Sequence, residues 1–136
     1  MTQRWGVEQV LNEDMMHRSV HYQWFNNASG QLLAGAFRLP AESVDHRRGI
    51  SANWDKYSTP ELTRAGARKP DENGVISLNV GEVRQYQTLD VEHTPQFPQN
   101  RAHCDIIGAA NDPEAAVKLL RISHVQIVAP TRSEMQ

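Results

Sequence analysis

The chain has 136 residues, of which 39% are hydrophobic and 22% are charged, and its formal net charge at pH 7 is -2. This length suits one domain around a single core, and this composition excludes a disordered chain. The near balance of charge gives no basis for bulk nucleic-acid binding. No apolar run approaches the roughly 20 residues of a membrane-spanning helix.

The N-terminal residues and the cysteine content bear on the compartment. Residues 1–14 carry charges throughout and lack the apolar core of a secretory signal. Cys104 is the only cysteine, so the chain cannot form an internal disulfide. We therefore expect a cytoplasmic protein in which Cys104 is a small buried residue rather than a reactive one.

The first third of the chain is predicted to form a helix and a hairpin. Apolar residues spaced along 5–16 approximate a helical stripe, although Gly6 weakens it. Segments 19–25 and 32–39 read as strands and flank the turn-forming residues 26–31. Together these two segments predict an antiparallel hairpin.

A second helix is predicted over 58–70. Two alternatives explain its start: Ser58 and Glu61 have the spacing of a capping box, and Thr59 is an equally good cap before Pro60. Proline at the far end stops it.

The remaining segments predict four further strands, a helix and a closing strand. The four strands are 50–54, 75–86, 89–93 and 103–109. A helix over 111–123 has Asp112 as its cap, and the strand 125–130 follows it, where a crossover would allow parallel pairing. We therefore predict an α+β fold: a single domain over 1–136, frayed at 1–4 and 131–136. Its mainly antiparallel sheet has about five to six strands, with two to three helices packed on it.

The segment 91–108 is the strongest candidate for a functional site. If strands 89–93 and 103–109 pair antiparallel, His93 and His103 lie at the mouth of one loop, overhung by Asn100 and Arg101. Two imidazoles can act as general acid and base near neutral pH, and an arginine can clamp a phosphate or carboxylate. The alternative is structural: the histidines cap strand ends and the loop residues fix its backbone.

A metal site is a weaker hypothesis. His93 and His103 would need Asp105 as third ligand, because Cys104 faces away from His103 in a strand. There is no closely spaced cysteine and histidine quartet for zinc. We therefore predict no metal and no cofactor.

Other polar residues are secondary candidates for binding a ligand. Asn53 and Tyr57 flank Trp54, which we assign to the core, and Arg84 would share a strand face with Glu82. His17 and His21, four apart, are predicted to be exposed near a sheet edge. The basic cluster 46–49 is predicted to be a solvated turn.

The segments 50–61, 78–84 and 91–108 resemble a pattern in a group of small bacterial proteins with no assigned activity. Its matching residues are Ser51, Asn53, Trp54, Val91, His93, Pro95, Asn100, Ala102 and His103. The resemblance covers roughly residues 36–109 and implies a bacterial origin. It emphasises the same histidine loop and supplies no reaction.

Three functions remain open from the sequence. The first is a binding or accessory module that holds a protein partner or a small anionic ligand near His93, Asn100, Arg101 and His103. The second is a phosphodiesterase, nuclease or nucleotide transferase with His93 as base, His103 as acid and Arg101 as anion clamp. The third, motivated by size and the bacterial resemblance, is a component of a defence or toxin–antitoxin system. The sequence leaves the oligomeric state open.

Overall fold

The computed structural model describes residues 5–37 and 49–135. Its centre is one six-stranded sheet in which every neighbouring pair is antiparallel. The strands are β1 (Met15–His21), β2 (Ile50–Trp54), β3 (Asn73–Asn79), β4 (Asp90–His93), β5 (His103–Ile107) and β6 (His124–Ile127). The helices are α1 (Pro60–Ala65), α2 (Val80–Arg84) and α3 (Ala115–Ile122). The predicted α+β class is confirmed.

The sheet order is β4-β5-β2-β1-β3-β6, so most neighbours are not consecutive in the chain. One face is apolar and carries the core, formed by side chains such as Met16, Trp54, Leu78 and Ile106. Leu119 of α3 is fully buried in the same cluster. Alternate residues of a strand point to opposite sides, so the residues between these apolar ones lie on the other face, which is mainly polar.

A row of polar residues crosses this second face in register. His103 pairs with Asn53, Asn53 with His17, His17 with Ser77, and Ser77 with His124. Helix α1 packs over β1 and β3 on this side, where its Thr63 hydroxyl accepts a hydrogen bond from the Asn53 amide (3.2 Å). The polar face is therefore covered over its centre.

Strands β1 and β2 pair at only two positions and then separate. The Arg18 side chain fills the gap, donating to the carbonyl of Ser51 (2.7 Å) and twice to that of Ala36 (3.2 and 3.0 Å). These contacts satisfy carbonyl oxygens that lack a strand partner at the split.

The predicted helix over 5–16 is wrong. Residues 5–14 have no helix, and their backbone instead bonds to distant elements. The carbonyl of Asn12 accepts from the N–H of Gly81 and that of Asp14 from the N–H of Val80 (both 2.9 Å). Val7 is 75% exposed, so the apolar spacing does not mark one buried stripe.

The predicted hairpin forms only next to its turn, and residues 38–39 of its second strand lie outside the described residues. Strand β1 occupies 15–21 rather than 19–25, and both its edges are taken by β2 and β3. The returning segment makes one isolated bridge, between Phe25 and Leu32, and then forms a 3-10 turn over Ala34–Phe37. Gly35 permits this turn to lie against Trp24, since a Cβ there would come within 2.5 Å of the indole ring.

Several element ends are corrected as well. Strand 75–86 stops at Asn79, whose side chain caps α2 by accepting the N–H of Glu82 (2.9 Å). Helix α1 begins with Thr59 as its cap, which confirms the Thr59–Pro60 alternative over the Ser58–Glu61 one. Helix α3 has Glu114 rather than Asp112 at its cap position, and β6 pairs antiparallel with β3 instead of parallel.

Candidate functional site

The predicted pairing of β4 with β5 is confirmed, but its register separates the two histidines. His93 lies opposite Cys104, one residue past His103. Since neighbouring residues of β5 alternate between faces, His93 lies on the apolar face and His103 on the polar face. The prediction that both rings share one hollow is therefore wrong, and so is an acid–base pair formed by them.

His93 is buried, at 2% exposure, and both its ring nitrogens are occupied. The N–H of Glu8 approaches Nδ1 (2.9 Å), and Nε2 lies 2.7 Å from the carbonyl oxygen of Arg101. A backbone N–H only donates and a carbonyl only accepts, so the ring is the Nε2–H tautomer. The ring packs against Trp54 and Tyr57, with centroids 5.1 and 6.2 Å away. His93 thus joins the N-terminal segment to the β4–β5 loop.

Arg101 lies on the same side as His93 and is exposed. Its guanidinium carbon stands 4.4 Å from the ring centroid of Tyr57, which is a cation–π contact. The nearest carboxylate is that of Glu8, 3.8 Å from a terminal nitrogen. Among the residues that the structure describes, no acceptor takes a hydrogen bond from the guanidinium. The Arg101 guanidinium therefore contacts Tyr57 and Glu8 while its hydrogen-bond donors stay unused among the described residues.

The charges around Arg101 leave a positive balance. Glu8 also accepts from Lys56 (2.5 Å) and from the hydroxyl of Tyr57. The hydrogen bonds from Lys56 and then Tyr57 hold the pKa of Glu8 below its usual value, and the same Lys56–Glu8 bond raises the pKa of Lys56. One carboxylate thus faces two cations, and an added anion at Arg101 would balance the charge.

A hollow of about 750 Å³ lies next to this cluster. Its walls are Trp5, Val7, His93 and residues 94–98. The rings of Trp5 and Phe97 meet edge to face, with centroids 4.9 Å apart. Arg101 does not line the hollow, but its carbonyl binds the lining residue His93 and its guanidinium approaches Glu8, the chain neighbour of Val7. The walls are mainly apolar and aromatic, with polar contributions from His93, Thr94 and Gln96.

Asn100 and Asn53 meet on the polar side, away from Arg101. The amide of Asn100 donates to the side-chain oxygen of Asn53 (2.8 Å). Its own oxygen accepts the N–H of Ala102 (3.1 Å) and so shapes the loop. These contacts follow the structural alternative proposed for the loop residues.

His103 lies in a second polar cluster that the sequence did not single out. Its Nδ1 faces the hydroxyl and carbonyl of Thr94 (2.9 and 3.1 Å), and its Nε2 faces the hydroxyl of Ser51 (3.3 Å). The Thr94 hydroxyl donates to Asp105 (2.9 Å). Ser51 and Asn53 alternate along β2 with apolar residues that are buried. This alternation is the one sequence signal that could have placed Ser51 on the polar face.

Arg84 is structural in its contacts. It lies in α2 rather than on a strand face with Glu82, which corrects that prediction. Its guanidinium donates to Asp90 (2.8 Å), to the carbonyls of Val10 (2.7 Å) and Val91 (3.2 Å), and to Asn12 (2.9 Å). These partners occupy it from several sides, and it ties the N-terminal segment to β4.

The histidines of β1 also differ from the prediction. His17 lies in a central strand, not at an edge, and is 5% exposed. Its Nδ1 lies 2.7 Å from Ser77 and its Nε2 2.6 Å from Asp55. The residue types are those of a serine protease triad, but Ser77 is 1% exposed and no substrate reaches it. His21 is half-buried and bonds to Glu72 (2.9 Å).

The structure does not assemble the considered metal ligands. His93 faces away from His103 and Asp105, so these three residues do not converge. Over residues 5–37 and 49–135, no group of three or more His, Cys, Asp or Glu side chains is placed to hold a metal. The cluster 46–48 lies outside the described residues.

The comparisons with known proteins add no relative. The chain matches no family model, no curated protein and no solved structure. The resemblance to a bacterial group therefore stays a prediction. Within the described part of the chain, no helix has the length and apolar character needed to cross a membrane.

Proposed function

We propose that this protein is a binding module for a small anionic ligand with an aromatic or apolar body. Arg101 carries the proposal: its exposed guanidinium lies against the ring of Tyr57, has Glu8 at 3.8 Å, and donates no hydrogen bond among the described residues. A planar guanidinium in this state suits bidentate contact with phosphate or carboxylate. The apolar body would occupy the hollow walled by Trp5 and Phe97.

The size and the chemistry of the hollow support a small ligand. Its volume of about 750 Å³ falls within the roughly 300–1,000 Å³ range of small-molecule sites. Aromatic and proline side chains favour stacking with a flat group. A protein partner bound through the same residues is the runner-up. A cytoplasmic location, supported by the single buried cysteine, belongs to the proposal.

Calorimetric titration with AMP, adenosine and inorganic phosphate tests this function. AMP combines a flat base with a phosphate, whereas each of the other two probes offers only one part. We expect AMP to bind more tightly than either part, and Arg101→Ala to weaken AMP at least tenfold while leaving adenosine unchanged. Phe97→Ala should weaken AMP and adenosine alike, because it removes one wall.

The matched control is Arg121→Ala, which removes an exposed arginine from α3. It should leave all three affinities unchanged. Equal AMP affinity in wild type and Arg101→Ala, or no binding of any probe, would contradict the small-ligand site and favour the protein partner.

A further inference from the structure

A second cluster, around His103 on the polar face, is a separate candidate for chemistry. Four side chains from β2, β5 and the end of β4 meet there: Ser51, His103, Asp105 and Thr94. Ser51 is exposed, while His103, Thr94 and Asp105 are half-buried. The nucleophilic hydroxyl is thus open to solvent and its supporting groups are held by the sheet.

The hydrogen bonds of this cluster run in one direction. The carbonyl of Thr94 can only accept, so the 3.1 Å contact places the proton of His103 on Nδ1. Nε2 is then an unprotonated acceptor that faces the Ser51 hydroxyl at 3.3 Å. The hydroxyl of Thr94 accepts from His103 (2.9 Å) and donates to Asp105 (2.9 Å).

We propose that Ser51 is a nucleophile activated by His103, and that it accepts short acyl groups from esters. Thr94 and Asp105 are positioning residues: they hold the imidazole and offset the positive charge that forms on it. This is the arrangement of nucleophile, base and orienting group that acyl transfer needs.

The reaction proceeds in two balanced steps. The Ser51 oxygen attacks the ester carbonyl carbon while Nε2 of His103 takes the hydroxyl proton. The carbon–oxygen bond to the leaving alcohol breaks, and that alcohol takes the proton from Nε2, leaving an acyl-serine. Water then attacks the acyl-serine, Nε2 receives and returns a proton, and a carboxylic acid leaves as Ser51 is restored.

A small hollow beside Ser51 limits the acyl group. It measures about 110 Å³ and is lined by Ser51, Arg18, Asn53 and neighbours on β1 and α1. That space accommodates an acetyl-sized group, and a longer acyl chain would have to extend beyond it.

Arg18 supplies positive charge at this hollow. Three of its five N–H groups bond to the carbonyls of Ala36 and Ser51, and the other two have no acceptor among the described residues. Burial lowers the pKa of Arg18 to about 10, which leaves it cationic at neutral pH. A cation here would stabilise the negative oxygen that develops during attack.

The burial of the other serine–histidine pair sharpens the assignment. Ser77 and His17 are closer together, at 2.7 Å, but Ser77 lies inside the protein. Chemical reactivity should therefore appear at Ser51 and not at Ser77.

The experiment is a burst assay with p-nitrophenyl acetate, followed by mass spectrometry of the trapped protein. We expect about one p-nitrophenol released rapidly per chain and one acetyl group on the peptide that contains Ser51. Ser51→Ala should abolish both. His103→Gln should slow acylation roughly 100-fold or more, because general-base catalysis typically contributes about 10²–10⁴. p-Nitrophenyl octanoate should react at least tenfold more slowly than the acetate.

The controls separate this site from the rest of the molecule. His124→Gln, which removes an exposed imidazole from the same face of the sheet, should leave the burst unchanged. Arg101→Ala should also leave it unchanged, so failure here and failure of the anion site are distinguishable. An acetyl group confined to lysines or histidines, or a Ser51 adduct that forms equally fast in His103→Gln, would overturn the proposal.

Discussion

At the scale of single residues, burial follows side-chain type except where a polar network replaces it. Cys104 and Trp54 were expected inside the protein and are there, at 0% and 3% exposure. His17 was expected outside and is buried, because Ser77 and Asp55 supply partners for both ring nitrogens. Those partners are 60 and 38 residues away in the chain, and no local pattern reveals them.

The burial of Cys104 predicts that its thiol does not react with alkylating reagents in the folded protein. Desolvation, and then the neighbouring charge of Asp105, raise its pKa to about 12. We expect no alkylation by iodoacetamide at pH 8 in the folded protein, and complete alkylation in guanidinium chloride. Mass spectrometry measures both states, and rapid labelling of the native chain would contradict the buried position.

We predict that replacing the core residue Trp54 by phenylalanine destabilises the protein unusually little. Its indole N–H is buried without a hydrogen-bond partner in the described part of the chain. Trp54→Phe removes that unpaired group and leaves a small cavity, so we expect a loss of about 1 kcal/mol or less in denaturant unfolding. Trp54→Ala should cost about 3–5 kcal/mol. An equal loss from both variants would contradict this expectation.

At the scale of elements, the sequence identifies strands better than it identifies their ends. Alternation correctly marked β4 and β5, while the strand predicted over 75–86 ran past Asn79 into a helix. The signal was present, since Asn79 and Glu82 have the spacing of a helix cap. The segment 5–14 lacked such a signal, because distant side chains and backbone groups satisfy its peptide groups.

Helix α3 depends on a carboxylate just before it. Asp112 accepts from Lys118 (2.7 Å), from the Thr88 hydroxyl and from the N–H of Glu114 (2.9 Å). These bonds, that of Lys118 first, lower the pKa of Asp112 from 3.8 to about 2. A lowered folded-state pKa means that the charged form stabilises the fold above about pH 4, and that this stabilisation is lost as the pH falls towards 2.

The test compares wild type with Asp112→Asn by urea unfolding between pH 2 and 6. We expect the variant to be less stable above pH 4 and the difference to shrink as the pH falls. Asp71→Asn, at an exposed aspartate, is the control. A difference that stays constant over the whole range would show that the charge of Asp112 does not contribute.

At the scale of the whole molecule, the fold is held by contacts that the sequence order hides. Strand β1 lies in the middle of the sheet beside β2 and β3, and β6 reaches the far edge next to β3. The class and the β4–β5 pair were predictable, but the order was not, since each strand has several partners of similar pattern. The same register decides the site: a shift of one residue would bring His93 and His103 to one face.

The N-terminal segment joins the edge strand β4 to helix α2, and the contacts of Arg84 predict how firmly it is held. Val10 is buried, and its carbonyl accepts from Arg84, which also bonds to Asn12 and Val91.

Arg84→Ala should release residues 5–14 while the sheet stays folded, because strand pairing does not involve them. Losing such a charged hydrogen bond costs about 1.5 kcal/mol, so hydrogen exchange in 5–14 should become roughly tenfold faster. Exchange in β1 and β3 should change little, and Arg121→Ala should alter neither region. Because Trp5 and Val7 line the hollow, release of this segment should also weaken AMP binding. Faster exchange throughout the sheet would instead mean that Arg84 supports the entire fold.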